Sequence, residues 1–298
     1  MNSSSDNKPN EPIAPGLYLV ATPIGNLEDI TLRALRILRS VDRIACEDTR
    51  QTQKLLNHFG ITTPTVSYHM HNEGTRSEEL TEALKQGARI AVVSDAGTPG
   101  IADPGGQIAA AAIAAGIPVF PIPGANAAIS GLIASGLPTE RFTFHGFLPS
   151  KAGQRKTFLE EIPRTDGTTH IFYETPHRIL EALADIEAVF GPAQPVVIAR
   201  ELTKLHEEFL RGPANDLHTE LAARPVIRGE IVLMLAPTKQ EAAASSTSTS
   251  TCIAEAVAGL MKSGNLTEKD ALKRVARDRG IGKSEAYREL QREQNRKR

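Results

Sequence analysis

A chain of 298 residues that is 40% hydrophobic and 23% charged holds enough apolar material for two compact units plus a small appendage, which excludes disorder throughout. Trp is absent and the two cysteines, Cys46 and Cys252, have no metal-ligand spacing, so neither a disulfide framework nor a structural zinc is expected and a reducing compartment fits. The net charge of −1 conceals a split: residues 253–298 carry +5 and residues 1–252 carry −6, the pattern of an acidic body with a basic tail able to meet phosphate.

Residues 1–15 lack the basic-then-apolar order of a signal peptide, and no run is long enough to span a bilayer. They read as a disordered leader on a cytoplasmic protein with no membrane partner. Residues 16–21, G-L-Y-L-V-A, read as a buried strand. T-P-I-G-N-L follows, then an amphipathic helix from about Thr31, with Asp29 or Thr31 as cap and Leu32, Leu35 and Leu38 as its buried stripe. A strand over Arg43–Cys46 runs into E-D-T-R, Glu47–Arg50, and charged residues just past a strand sit where open α/β sheets bind ligands. Residues 51–59 are expected to be helical and 65–68 extended. His69 and His71 lie two apart, but no third ligand of suitable spacing accompanies them, so no metal is expected.

A helix over 76–86 returns the chain to a strand at Ile90–Val93, and there the most informative stretch begins. V-V-S-D-A-G-T-P-G-I-A-D-P-G-G, Val92–Gly106, packs four glycines, two prolines and two aspartates into one turn. Glycine permits close approach of a ligand to the main chain and proline limits the entropy lost on binding, so this is a ligand cradle. It has neither the G-x-x-x-x-G-K-[ST] nor the G-x-G-x-x-G pattern, which argues against ATP hydrolysis and NAD chemistry. An Ala-rich helix over 107–115, a strand over 118–122 and a second turn-to-helix junction, P-G-A-N-A-A-I-S from Pro123, complete a first unit of residues 16–123.

The second unit, residues 124–238, is expected to repeat the alternation. Strands over 142–147, 170–173, 195–199 and 230–236 and helices over 151–161 and 179–190 are predicted. Charged clusters end several strands: Glu174, His177 and Arg178 after one, R-E-L-T-K-L-H-E-E from Arg200 after another. They suggest a polar rim around a cleft. Residues 239–252 are low-complexity and read as a linker. Beyond it, 253–298 form a basic three-helix module of helix-turn-helix type, with Thr267 and Ser284 as caps and Asp270 completing a capping-box-like pattern.

Six blocks, in this order, carry a resemblance: T-P-I-G-N-L-E-D-I-T (22–31), E-D-T-R (47–50), S-D-A-G-T-P-G-I-A-D-P-G (94–105), P-G-A-N-A (123–127), Y-E-T-P-H-R (173–178) and R-E-L-T-K-L-H-E (200–207). Together they resemble the tetrapyrrole methylase superfamily of S-adenosylmethionine-dependent methyltransferases, and within it the bacterial ribosomal RNA small subunit methyltransferase I group. The resemblance implies two α/β domains with the methyl donor in the cleft between them, a homodimer, and methyl transfer to a cytidine ribose 2′-hydroxyl in 16S ribosomal RNA of the small ribosomal subunit. It implies donor contacts at Pro23, at Ser94, Asp95, Ala96, Gly97, Thr98 and Ile101, at Ala125, Asn126 and Ala127, and near Phe147 and Ala199. The P-G-A-N-A block departs mildly, since the group often has serine at Asn126 or Ala127.

The sulfonium donor is already activated, so the protein's main task is to align the 2′-oxygen with the methyl group. Deprotonation of that hydroxyl is the remaining demand, with Glu47, Asp48, Asp103, Glu174, Glu201 and Lys204 as candidates and Glu47 and Lys204 preferred as catalytic. Arg50, Arg178 and Arg200 have the planar forks that suit phosphate, and with Asp103, Glu174 and Glu201 they make the expected substrate-facing set. Any of these can equally be a structural ion pair. Two other readings stay open: methylation of a corrinoid or porphyrin carbon, and a non-catalytic nucleic-acid-binding regulator whose body senses a small ligand.

Overall fold

The computed structural model describes residues 13–70, 72–163, 167–237 and 253–264, with single residues and short stretches between 267 and 292. Residues 1–12 of the expected leader, His71, the expected linker and the expected tail residues Asp270 and Ser284 lie outside the described residues. The chain divides into two compact units between residues 238 and 239.

The first unit opens with β1 (Gly16–Val20), α1 (Leu32–Ser40), β2 (Arg43–Cys46), α2 (Thr49–His58), β3 (Thr65–Ser67), α3 (Glu73–Lys85), β4 (Arg89–Val93), α4 (Gly106–Ala114) and β5 (Val119–Ile122). The strands form a parallel sheet in the order β3-β2-β4-β1-β5. Successive side chains of a strand face opposite sides, so Tyr18 and Val20 meet Ala34, Ile37 and Leu38 of α1, while Leu17 packs with Leu80, Leu84 and Ile108 of α3 and α4. Each fully buried Leu or Ile contributes about 1.5–3 kcal/mol. The fold begins ahead of the expected leader boundary at residue 15: Ile13 packs on the core, and the Ala14 carbonyl accepts a 2.6 Å hydrogen bond from the Tyr18 hydroxyl.

Local capping sets the helix starts. Thr31 Oγ1 accepts from the Ala34 amide (3.0 Å), and from that start the inward positions are Ala34, Ile37 and Leu38. The expected Leu32, Leu35, Leu38 stripe is thus rotated, and Leu32 is 86% exposed. Asp48 caps α2 by accepting from the Arg50 amide (2.8 Å), which starts that helix two residues early.

A second, mixed sheet follows: α5 (Ala127–Ser135), β6 (Phe142–Phe147), α6 (Ala152–Glu161), β7 (Thr169–Glu174), α7 (Ile179–Phe190), β8 (Pro195–Arg200), β9 (Glu208–Pro213), α8 (Ala214–Ala222) and β10 (Ile231–Leu235), in the strand order β6-β7-β10-β8-β9. Strand β9 and helix α8 are absent from the sequence-based expectation. The stretch from Glu201 to Glu207 is too short for a parallel crossover, so β9 returns as a hairpin antiparallel to β8 instead of continuing the α/β alternation. Helices α6, α7 and α8 cover one face of this sheet, and α5 covers part of the other through Ala128 and Leu132.

In the second unit, α9 (Ile253–Gly264) sets Ile253 and Val257 in a small core with Ala271, Leu272, Val275, Ala286 and Leu290. The Ala271 amide donates to the Thr267 carbonyl (2.9 Å), so a helical turn starts at the expected cap. Arg274, Arg288 and Arg292 are exposed.

Candidate active site

All five strands of the first sheet are parallel, so their carboxyl ends lie along one edge, where open α/β sheets hold ligands. There the loop after β4 faces the second sheet across a cleft of about 280 Å³. Its roof is Asp95, Ala96, Gly97, Thr98, Ile101, Ala102 and Asp103, joined by Ile24, Asn126 and Ala127. Its floor comes from the sheet face and strand ends of the second half, including Phe147, Tyr173, Glu174, Ala199, Leu202, Glu230 and Val232.

The roof is fixed at three points. Gly97 exchanges hydrogen bonds with Thr22, donating at 3.1 Å and accepting at 2.8 Å, which ties the β4 loop to the end of β1. Its φ of +87° is left-handed, and a Cβ there would stand 3.2 Å from Ile24 Cγ2, so glycine is needed for both conformation and room. Thr98 Oγ1 donates to the Ala125 carbonyl (3.1 Å), and Asn126 caps α5 by accepting from the Ile129 amide (3.1 Å). Asparagine fills this cap as well as the serine the sequence comparison leads one to expect. Beneath the loop the buried Glu73 accepts from the Tyr68 hydroxyl (2.9 Å) and the Gly105 amide (3.1 Å), anchoring the start of α4. The non-glycine residue Ala102 holds a φ of +61°, strain of the kind that accumulates at binding sites.

Loops from the second sheet are organised by Glu201, another non-glycine with positive φ (+53°). Its Oε1 accepts from Lys204 Nζ (2.8 Å) and from the Glu230 amide (3.1 Å), and its side chain lies where a Cβ on Gly229 would be. Lys204 also reaches Glu230 Oε2 (3.1 Å). Burial works against the Lys204 charge, but the two glutamates outweigh it and hold the ammonium above the ordinary lysine value. Both contacts favour the protonated ammonium.

Of the expected donor contacts, Asp95, Ala96, Gly97, Thr98, Ile101, Asn126, Ala127, Phe147 and Ala199 line the cleft. Pro23 does not, its neighbour Ile24 being turned in instead; Ala125 acts through Thr98, and Ser94 is buried against Asp103 (2.6 Å to Oδ2). Burial, opposed by the Ser94 hydrogen bond and reinforced by Asp95, raises the Asp103 pKa. Glu47 does not line the cleft; burial, with the charges of Asp103 and Asp95, raises its pKa too. Asp48 is occupied by its cap and by Arg50 Nη2 (2.8 Å), which holds its carboxyl down at about 2.

The three arginines expected to face phosphate are already engaged. Arg50 pairs with Asp48; Arg178 donates to the Leu148 carbonyl (2.5 Å) and lies 3.3 Å from Glu174 Oε2; Arg200 donates to Glu208 Oε2 (3.0 Å) and to the Arg228 carbonyl (3.0 Å). Glu174 does line the cleft, and burial raises its pKa. Sequence reasoning missed Ile24, Tyr173, Leu202, Glu230 and the anchoring Glu73. Ile24, Tyr173 and Leu202 stand inside quoted blocks, where charged or glycine neighbours drew attention; strand alternation marks Tyr173 and Ala199 as inward-facing once β7 and β8 are placed.

In the cleft itself the described lining residues include four carboxylates, Asp95, Asp103, Glu174 and Glu230, and no lysine or arginine. Apolar walls with carboxylates at the rim suit a small, partly apolar ligand carrying positive charge. Among the described residues no group of three or more His, Cys, Asp or Glu is placed to hold a metal ion.

The profile of the tetrapyrrole (corrin/porphyrin) methylases matches residues 16–218. The chain is 49% identical over 276 residues to the ribosomal RNA small subunit methyltransferase I of Halalkalibacterium halodurans, covering 91% of this chain and 93% of that protein. To the protein of the same name from Bacillus subtilis it is 43% identical over 272 residues, covering 91% and 92%. In fold it is similar to a uroporphyrin-III C-methyltransferase from Thermus thermophilus complexed with S-adenosylhomocysteine, with a TM-score of 0.50, 18% identity, and coverage of 75% of this chain and 98% of that one.

Proposed function

The chain belongs to the tetrapyrrole (corrin/porphyrin) methylase family, and from that membership we propose that it transfers the methyl group of S-adenosylmethionine to a cytidine ribose 2′-hydroxyl in 16S ribosomal RNA. The observation that carries the reading is the 49% identity, over 91% of this chain, to a ribosomal RNA small subunit methyltransferase I.

The cleft fits the donor on its own chemistry. S-adenosylmethionine has a sulfonium, an ammonium and an apolar-faced adenine, and the cleft offers four carboxylates, apolar walls at Ile24, Leu202 and Val232, and a glycine-bearing main chain. Asp95, Gly97, Thr98, Ile101, Asn126, Ala127, Phe147, Tyr173 and Ala199 are the residues that would hold it. Bound there, it supplies an activated methyl group. What weighs against uroporphyrinogen as the acceptor is the 49% identity to a ribosomal RNA methyltransferase set against 18% to a uroporphyrin-III C-methyltransferase. Family membership sets the non-catalytic regulator aside.

The chain's own part is orientation and proton transfer. Thr22, Glu73 and Ala125 hold the roof rigid, so the entropy of positioning is lost in folding and not at reaction. Asp103 is the carboxylate assigned to take the hydroxyl proton, because it lines the cleft, is held by Ser94, and has a pKa raised toward working pH. Glu47, whose carboxyl feels the charge of Asp103, stands outside the cleft lining. Lys204 keeps the Glu201 and Glu230 loops in place.

We further infer a cytoplasmic homodimer that acts on the ribosome. Ile129 and Ile133, one turn apart on α5, are 41% and 73% exposed, Ile113 of α4 is 66% exposed, and the edge strand β6 exposes Phe142. Apolar helix faces beside an open sheet edge suit a second copy of the chain. The test of the reaction is transfer of radiolabelled methyl from S-adenosylmethionine to small ribosomal subunits, with free 16S ribosomal RNA and uroporphyrinogen III in parallel. Label in the ribosomal RNA is expected; label on uroporphyrinogen alone, or on none, overturns the proposal.

A further inference from the structure

The cleft carries no cationic lining residue, and the arginines beside it are spoken for, so an RNA acceptor needs its phosphates held elsewhere. Helix α1 has the sequence L-R-A-L-R-I-L-R-S and places Arg33, Arg36 and Arg39 three residues apart, with Arg43 at the start of β2 just beyond. Residues three apart on a helix are surface neighbours, so these guanidinium groups form one stripe. Among the described residues Arg33, Arg36 and Arg43 have no carboxylate within ion-pair distance, and Arg39 makes a single bond, from Nη2 to the Phe59 carbonyl (2.9 Å). Arg33, Arg36 and Arg89 all act electrostatically on the Tyr18 hydroxyl, and Arg43 and Arg89 on Asp42, which joins the stripe to the amino end of β4. Asp42, the acid within this patch, is already held by Arg89 (2.6 Å).

Stability of the helix accounts for Arg39, in its last turn, but not for Arg33 and Arg36. Like charges at this spacing repel, and Arg33 sits in the first turn, where the helix dipole disfavours a cation and no acidic residue is present. The body carries −6, so a stripe of unpaired arginines runs against its own background. Ala34, Ile37 and Leu38 commit the apolar side of α1 to the core and leave Leu32 as its one large exposed apolar group, which is little to insert into a membrane. The six helical steps from Arg33 to Arg39 cover about 9 Å, against about 3.4 Å of duplex axis per phosphate of one strand.

We propose that the arginine face of α1, extended by Arg43, docks the phosphodiester backbone of the RNA acceptor. This rests on the ribosomal RNA reading above. The docking is sequence-independent and positions the RNA without selecting the nucleotide.

The test uses the full chain and the double variant Arg33→Gln, Arg36→Gln, with purified small ribosomal subunits as the probe and salt concentration as the variable. The variant is expected to bind on the order of tenfold more weakly near physiological salt, and its plot of log affinity against log salt to be shallower by about 1.4 to 1.8, the slope of two lost phosphate contacts. Calorimetric affinity for S-adenosylhomocysteine and the sedimentation coefficient stay as in the parent chain, which separates docking from misfolding and from loss of a dimer. Unchanged subunit affinity and salt slope overturn the proposal, as does a loss explained by dissociation of the dimer. A parent chain that methylates uroporphyrinogen and ignores ribosomal subunits overturns the ribosomal reading itself, a result the variant comparison alone does not produce.

Discussion

Replacing Gly97 tests the proposed donor site where the loop after β4 is bridged to Thr22. Alanine there must hold a φ of +87°, a conformation that costs a non-glycine residue about 1–3 kcal/mol. Its Cβ also presses to 3.2 Å on Ile24 Cγ2 and 3.7 Å on the Ala125 carbonyl. The free protein can relieve this by letting the loop leave its bridge to Thr22, but the donor needs the loop in place, so the strain returns as lost affinity. At tenfold per 1.4 kcal/mol, the Gly97→Ala protein should bind S-adenosylhomocysteine about 5- to 150-fold more weakly. Gly97→Val, whose two further methyl groups have no space between Ile24 and Ala125, should show no measurable binding. The assay is isothermal titration calorimetry, with circular dichroism melting to show that both variants fold. Affinity within twofold of the parent for Gly97→Val would refute the placement of the donor under this loop.

Asp103→Asn should lower kcat by about 10²–10⁴-fold while donor affinity stays within threefold; equal loss of both would make Asp103 a donor ligand only. The ionised carboxylate is the active form and its pKa is raised, so kcat/KM should fall as pH drops through a value above the ordinary aspartate range. The same shift means folding favours the protonated acid, so the contribution of Asp103 to stability is fullest at low pH and fades as pH rises through the raised value. Arg155→Ala should cost about 3–5 kcal/mol, roughly 6–20 °C in Tm. Its guanidinium is 1% exposed and bonds Asp185 Oδ2 at 2.7 Å, leaving that carboxylate only Lys156 at 3.4 Å; a loss below 1 kcal/mol in urea melts would contradict this. Deleting residues 239–298 should leave S-adenosylhomocysteine affinity within twofold and weaken binding to small subunits, and parallel loss of both would show the tail to be part of the donor site.

Strand positions were legible because each is a short apolar run ended by Gly, Pro or charge, as with Arg43–Cys46 and Phe142–Phe147. Strand β9 was not: E-F-L-R-G-P alternates weakly and follows a dense charged block, and it is pairing with β8 that makes it a strand. The stripe of α1 was misphased because three leucines suggested a face that the Thr31 cap does not permit. The cradle was legible in its glycines and prolines, whose backbone needs are local. The roles of the charged residues were not, since an arginine at or just past a strand end reads alike whether it meets a phosphate or, as with Arg178 and Arg200, a carbonyl and a glutamate. Partner identity is a tertiary property; only the fold shows that Glu73 supports Gly105.

The most direct test is a crystal structure of the full chain with S-adenosylhomocysteine. The molecule should lie between the Asp95–Asp103 loop and the floor made by Tyr173, Ala199 and Val232, in contact with the main chain at Gly97. Density for it at any other place, with that cleft holding only water, would contradict the account.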